Sequence, residues 1–181
     1  DDLYSLNPLI GTEEEVNYIS RLYRSRVYSN KQALEENFKK SAGNYNIIHL
    51  AMHTIVDDRS PMLSKMVFTP KEDKKEDGLL HTFELYGIKL KANLVVLSGC
   101  NTGYGKIQKG EGLLSLARGF VFSGCSGLLL TQWSVADKAS VKLMKYFYYH
   151  LSKGHSKEKA LHYAKVDYLK DADPVKTHPH Y

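Results

Sequence analysis

Two residues in the sequence could perform nucleophilic chemistry together, a histidine and a cysteine that each follow an apolar run. His53 closes the run IIHLAMH, and Cys100 follows LVVLSG and precedes NTGYG. A histidine can accept the proton of a thiol or hold the thiolate by its own charge, and the thiolate is the nucleophile of acyl transfer. A histidine alone is more often structural, so the two residues count as a candidate pair rather than singly.

The elements that must position this pair are strands that alternate with helices. The runs 47–53, 93–99 and 127–133 are apolar on both alternating faces, as is typical of strands covered on both sides in a parallel sheet. Helical spacing predicts helices over 13–24, from residue 30 onward, and over 79–90, 112–123, 138–152 and 156–170. The predicted fold class is α/β, with a mostly parallel central sheet and helices on both faces. Open sheets of this kind place their sites at the carboxyl ends of the strands, where both His53 and Cys100 stand.

Local signals predict several boundaries. Thr12 followed by Glu15 fits a capping box at the start of the first helix, and Ser156 fits the cap of the last. The charged run 71–78 has no apolar residue and ends in Asp-Gly, which predicts a solvated loop.

Length and composition restrict the class of protein. The 181 residues, 43% of them hydrophobic, predict one domain over 1–181. Neither a membrane-spanning apolar stretch nor a secretion signal is visible, so we expect a cytoplasmic protein. The net charge of +5 is spread among interleaved acids and bases, and nucleic-acid binding is therefore not expected. Because the chain opens on Asp1 rather than Met and closes on HPHY, which has nothing to pack against, we expect a fragment truncated at both ends.

Three segments resemble the CHAT family, a branch of the caspase and separase clan of cysteine peptidases. They are HLAMH, LVVLSGCNTGYG and KGEGLLSLARGFVFSGCSGLLLTQWSVADKAS, and the likeness covers most of the chain. The resemblance implies a three-layer α/β/α caspase-like fold and a cysteine endopeptidase, with Cys100 as nucleophile and His53 as general acid and base. It also implies an oxyanion hole made by the backbone N–H groups of Thr54 and Cys100. Neither a metal nor a cofactor is expected.

The resemblance places substrate-binding residues in QWSVADK, namely Trp133, Ser134 and Asp137. This run resembles the tryptophan-led stretch of separases, which cleave after arginine, and the Asp137 carboxylate could pair with a basic side chain. Asp137 could equally cap the helix that begins at Lys138. Cleavage after a basic residue is therefore one of two interpretations.

The family context implies partners and an alternative function. A protein or peptide substrate is expected, in bacterial regulated proteolysis, with a regulatory domain of helical tetratricopeptide repeats outside this chain. Many relatives carry glycine where Thr54 stands, and a β-branched residue narrows the backbone conformations that aim its N–H. A catalytically silent CHAT domain that serves as a protein interaction module is therefore the alternative.

The remaining candidate residues are interpreted as structural. Cys125, in SGCSG before an apolar strand, is predicted to be a small core residue, and His49 lies inside a strand. Glu111 is interpreted as a first-turn acid of a helix rather than a site carboxylate. His178 and His180 lack further ligands at usable spacing, so no metal site is predicted there.

Overall fold

The computed structural model describes residues 6, 9–71, 76–98, 111–131 and 137–171, without the side chain of Asp137. The helices and strands, in chain order, are α1 (Thr12–Leu22), α2 (Glu35–Ser41), β1 (Ile47–Ala51), β2 (Thr54–Ile55), β3 (Lys65–Val67), β4 (Leu79–His81), α3 (Thr82–Leu85), β5 (Leu94–Ser98), α4 (Glu111–Phe122), β6 (Leu128–Leu130), α5 (Asp137–Ser152) and α6 (Lys157–Asp171). Short 3₁₀ helices occur at Asn30–Gln32, Ala42–Asn44 and Pro61–Leu63. The chain divides into two units, one formed by Asp1–Val27 with Val135–Tyr181 and the other by Tyr28–Ser134. None of the helices in these described ranges is long and apolar enough to cross a membrane.

The second unit, Tyr28–Ser134, contains the parallel sheet that the apolar runs predict. Its strand order is β1-β5-β6, with β5 in the middle and parallel to both neighbours. All five residues of β5 are buried, which fits a strand that is covered on both faces. The predicted α/β fold is therefore confirmed, with a parallel sheet of three strands flanked by helices, as in caspase-like folds.

A second sheet in this unit is antiparallel and was not predicted from the sequence. Its order is β2-β3-β4, and its strands are two or three residues long. The predicted helix over 79–90 is wrong, because Leu79–His81 pairs with β3 and only Thr82–Leu85 is α-helical. Leu80 and Leu85 are both fully buried, one from the strand and one from the helix. Over so few residues the apolar spacing fits both the period of a strand and that of a helix. The pairing of Leu79–His81 with β3 makes this segment a strand.

The helix predicted from residue 30 is also shorter than expected. Asn30–Gln32 is a 3₁₀ turn that begins with Asn30 at φ 50°, and α2 starts only at Glu35. The intervening Ala33 carbonyl accepts a hydrogen bond of 2.8 Å from the Thr69 N–H. In a continuous helix the Ala33 carbonyl would accept a hydrogen bond from an N–H of the next helical turn; here it accepts the Thr69 N–H instead.

The first unit, Asp1–Val27 with Val135–Tyr181, contains α1, α5 and α6. The Tyr23 and Tyr148 rings meet edge to face at 6.0 Å, and burial raises the pKa of the Tyr148 hydroxyl. The predicted capping box is wrong: Gly11 is the N-cap, with no side-chain cap, and Glu15 is only 2% exposed. The Glu15 carboxylate therefore lies in the interior and forms no capping box. The Ser156 cap is confirmed, since its Oγ accepts the Lys159 N–H at 3.4 Å.

Candidate functional site

His53 lies at the junction of the two sheets of the second unit. Beyond the last residue of β1, the Met52 N–H still donates to the Ser98 carbonyl at 3.1 Å, so the parallel pairing with β5 extends to that point. The His53 carbonyl then accepts a hydrogen bond of 2.9 Å from the Val67 N–H of β3. Its backbone is therefore fixed between the two sheets, and its side chain is half-buried.

The register of β1 against β5 assigns residues to the two faces of the parallel sheet. Ile47 lies opposite Leu94, and the pairing continues in step to Ala51 opposite Ser98. Ile48 and Leu50 of β1, like Val95 and Leu97 of β5, contribute to the hydrophobic core cluster. Because side chains alternate along a strand, the odd-numbered residues of β1 and the even-numbered residues of β5 face the other way. His53 comes two residues after the end of β1 at Ala51, beyond a bend at Met52.

Thr54, the predicted oxyanion donor, opens β2 and is buried. The bond from Val67 to His53 makes those two residues a hydrogen-bonded pair of the antiparallel ladder. Hydrogen-bonded and non-hydrogen-bonded pairs alternate in such a ladder, so the next pair, Thr54 and Met66, exchanges no backbone bonds. The Thr54 N–H therefore points to the side of β2 away from β3.

Most of the other predicted site residues lie outside the described part of the chain. Cys100, Trp133 and Ser134 lie outside the described residues. Asp137 is the first residue of α5, one position earlier than the predicted helix start, and its side chain is not described. The described residues thus bring together His53 and Thr54, and the dyad itself stays a prediction.

The loop after β2 packs against the start of α4, and the sequence reasoning missed this contact. The Asp58 carboxylate accepts the backbone N–H of Gly112 at 2.9 Å, which satisfies one of the free donors at the helix N-terminus. Asp57 organises the loop, because its Oδ1 accepts the N–H groups of Arg59 and Ser60 at 2.9 and 2.8 Å. The run DDRS is a turn signal in the sequence, but the helix that it caps begins more than 50 residues later. This contact joins the segment that follows His53 to the helix that follows the Cys100 segment.

Compared with known protein families, the chain matches the CHAT domain over residues 1–181. The chain belongs to the CHAT family. No match was found among curated proteins. The family is related to caspase-like peptidases, in agreement with the α/β fold of the second unit.

Gly112 of the CHAT domain has no room for a side chain. A Cβ there would lie 2.5 Å from Val56 Cγ1, 2.6 Å from Ser64 Oγ and 2.8 Å from the Asp57 carbonyl. Gly112→Ala should therefore destabilise the protein by about 1–3 kcal/mol, because the loop and α4 must separate. Urea unfolding of this variant and of Gly87→Ala would test the prediction. At Gly87 the added Cβ meets only the Glu84 carbonyl at an ordinary 3.5 Å, so an equal loss in both variants would contradict the packing argument.

Three carboxylates of the CHAT domain converge on one ammonium group. Lys39 Nζ lies 2.7 Å from Glu35, 2.6 Å from Glu76 and 2.8 Å from Glu84. Such a group of acids can hold a metal ion, but here the Lys39 ammonium is bound among them. Burial raises the pKa of Glu35 despite the ammonium, whereas hydrogen bonds from Lys39 and the His81 N–H lower the pKa of Glu84 against the opposing effect of its burial. The cluster is thus a salt-bridge network between α2, β4–α3 and residue 76.

The structural interpretations of two other residues are supported by their surroundings. Cys125 is buried in the core cluster, and its thiol donates to the Gly127 carbonyl at 2.8 Å, so its prediction as a core residue is confirmed. Glu111 is the first residue of α4, is exposed, and has Arg118 at 4.0 Å. An acid in the first turn is favoured by the helix dipole, as expected. His178 and His180 lie outside the described residues.

Proposed function

We propose that this chain is a cysteine endopeptidase in which Cys100 is the nucleophile and His53 is its general acid and base. The observation that carries the proposal is the β1–β5 register, Ile47 with Leu94 through Ala51 with Ser98. Continued by two residues beyond the last strand pair, this register would set position 53 opposite position 100. The same alternation that directs Ala51 and Ser98 to one face of the sheet would direct both side chains there as well.

Chain geometry supports contact between the two side chains. Neighbouring strands lie about 4.8 Å apart, and two residues extend a chain by at most about 7 Å. In the sequence, each residue comes two positions after a member of the last strand pair, Ala51 and Ser98. These distances allow the thiol and the imidazole to come within reach of a hydrogen bond, which nucleophile activation requires.

The chemistry follows the usual course for a thiolate nucleophile. His53 accepts the thiol proton, and the Cys100 sulfur attacks the carbonyl carbon of the peptide bond. The C–N bond breaks as His53 donates this proton to the leaving amine. Water, deprotonated by His53, then hydrolyses the thioester and regenerates the thiol. The oxyanion formed in each step needs backbone donors, and we assign the N–H groups of Thr54 and Cys100. The direction of the Thr54 N–H, away from β3, supports its assignment.

The proposed substrate is a protein or peptide with a basic residue before the scissile bond. The assignment depends on the likeness of QWSVADK to separases, with Trp133 and Ser134 at the pocket and the Asp137 carboxylate as partner of the basic side chain. Because a bidentate arginine contact is stronger than a lysine contact, arginine should be cleaved faster than lysine. The helical-repeat regulatory domain expected outside this chain would control access.

The proposal is tested by incubating the protein with a peptide library in which arginine, lysine, leucine and aspartate precede the scissile bond. We expect cleavage after arginine and lysine, and a loss of this preference in Asp137→Asn while slow cleavage continues. Iodoacetamide should alkylate Cys100 near neutral pH faster than it alkylates a free cysteine. An absence of cleavage combined with ordinary alkylation kinetics would reject the peptidase and favour the interaction module.

A further inference from the structure

The exposed large apolar side chains of the second unit are gathered on one surface. Among the described residues of Tyr28–Ser134, every such side chain lies on the 3₁₀ helix Pro61–Leu63, on α3 with its C-cap, or on α4. Their exposure ranges from 37% to 68%. They are Met62, Leu63, Phe83, Tyr86, Leu114, Val121 and Phe122, and together they form what we name the α4 face. Apolar side chains concentrated in this way are typical of a protein interaction site.

The α4 face is continuous because its three helical segments touch. The Tyr86 and Phe122 rings are 4.7 Å apart at the C-terminal end of α4. Near the middle of α4, the Ser115 hydroxyl donates to Met62 Sδ at 3.7 Å. The face thus has an aromatic end with Tyr86 and Phe122, and the 3₁₀ helix that carries Met62 and Leu63 packs beside the middle of α4.

The outer surface of α4 also carries two opposite charges in register with its apolar residues. Glu111, Leu114, Arg118 and Val121 recur at intervals of three and four residues, so they form one stripe along the helix. The side chains of Glu111 and Arg118 are 52% and 67% exposed, and the 4.0 Å between them is at the limit of an ion pair. Both charges can therefore turn to a partner.

We propose that the α4 face binds the same face of a second copy of this chain through an antiparallel pair of α4 helices. An antiparallel crossing centred between residues 114 and 115 sets Glu111 of each copy against Arg118 of the other. A twofold axis makes every contact occur twice, so both charges of both copies are paired. A parallel crossing in the same register would instead oppose Glu111 to Glu111, which is unfavourable.

The apolar residues are complementary in the same arrangement. Leu114 lies beside the axis in both copies. Met62, which the Ser115 hydroxyl contacts, also lies near the axis, so apolar side chains of both copies meet there. One register thus places apolar residues at the centre of the pair and oppositely charged residues on either side of it. The interface is independent of the proposed peptidase activity.

The experiment is a charge exchange followed by analytical ultracentrifugation. The unmodified chain should form a dimer with a dissociation constant of about 10 µM or lower. Arg118→Glu should raise this constant at least about 10-fold, because two glutamates then face each other at both contacts, and Glu111→Arg should do the same with arginines. Mixing the two variants should restore the dimer, since each then offers the charge that the other lacks.

The mixing step distinguishes this interface from a folding defect, because misfolded variants would not recover on mixing. An unmodified chain that stays monomeric up to about 100 µM would overturn the proposal and leave the α4 face to a different partner. A dimer that both single variants retain, or that the mixture fails to restore, would overturn it as well. Ser152→Glu, on the exposed end of α5, is the control and should leave the dimer unchanged.

Discussion

Replacing Cys100 by alanine should lower kcat/KM for a cleaved peptide by at least about 10⁴-fold, and replacing His53 by alanine should lower it by about 10²–10⁴-fold. The first change removes the atom that bonds to the carbonyl carbon. The second leaves the thiol in place but removes the base and the proton donor. Initial rates over a range of substrate concentrations would measure both effects.

The double variant separates a dyad from two independent residues. If Cys100 and His53 act as one unit, the double variant should be no slower than Cys100→Ala alone, because the base has nothing to activate once the nucleophile is gone. Effects that multiply would contradict the dyad. Cys125→Ala and His162→Ala are matched controls, one a buried core cysteine and the other an exposed histidine on α6, and both should retain activity.

The pH dependence of alkylation gives a second measurement of the same pair. In the unmodified protein a His53 imidazolium would stabilise the Cys100 thiolate, so the pKa of the thiol should be below that of a free cysteine. In His53→Ala this effect is lost, and the alkylation profile should move to higher pH. An unchanged profile would show that His53 does not contact the thiol.

The central strands could be predicted from the sequence because burial on both faces leaves a clear signal. The strands β1, β5 and β6 lie within the predicted runs 47–53, 93–99 and 127–133. Helix α4 was predicted within one residue for a similar reason, since its apolar residues recur over three turns. Long, regular patterns of this kind are the most reliable features of a sequence.

The antiparallel sheet could not be predicted, because its strands are too short to show a period. β2 has two residues, and its pairing with β3 depends on a turn and on the start of α4. The register between β1 and β5, on which the proposed dyad depends, could not be predicted either. Both strands are mostly apolar, so their sequences would also allow them to pair with another offset. His53 could be placed at a strand end from sequence, but the register from which we propose its alignment with position 100 required the structure.

The Lys39 cluster shows the same division between local and distant contacts. Glu35 and Lys39 are four residues apart, so their helical pairing is visible in the sequence. Glu76 and Glu84 join them only because β4 and α3 return to α2. No sequence pattern connects these positions, and the consequence for stability follows from the folded arrangement alone.

Lys39→Met should cost about 3 kcal/mol of unfolding free energy near pH 7, the low end for breaking a buried ion pair. The Glu35 side chain is only 1% exposed and would lose the charge that compensates it, while Lys39 itself is 24% exposed, which moderates the loss. Urea unfolding would measure the change. Lys40→Met is the matched control: its side chain is 71% exposed and pairs with Glu36 one turn away, so its effect should stay within about 0.5 kcal/mol.

The cost of Lys39→Met should decrease as the pH falls from about 7 toward about 4.5. Glu35 has a raised pKa in the folded protein, so the stability of the fold decreases as the pH rises through that pKa and the carboxyl group ionises. In Lys39→Met the ammonium no longer favours the ionised form, so the pKa of Glu35 rises further and this loss of stability becomes larger. Glu84 has a lowered pKa, so its stabilising contribution is present above the ordinary carboxyl pKa and is lost as the pH falls. Both groups therefore make the contribution of the Lys39 ammonium to the free energy of unfolding largest at neutral pH. A difference between the two proteins that stayed constant or grew on acidification would show that Lys39 stabilises the fold by packing rather than by its charge.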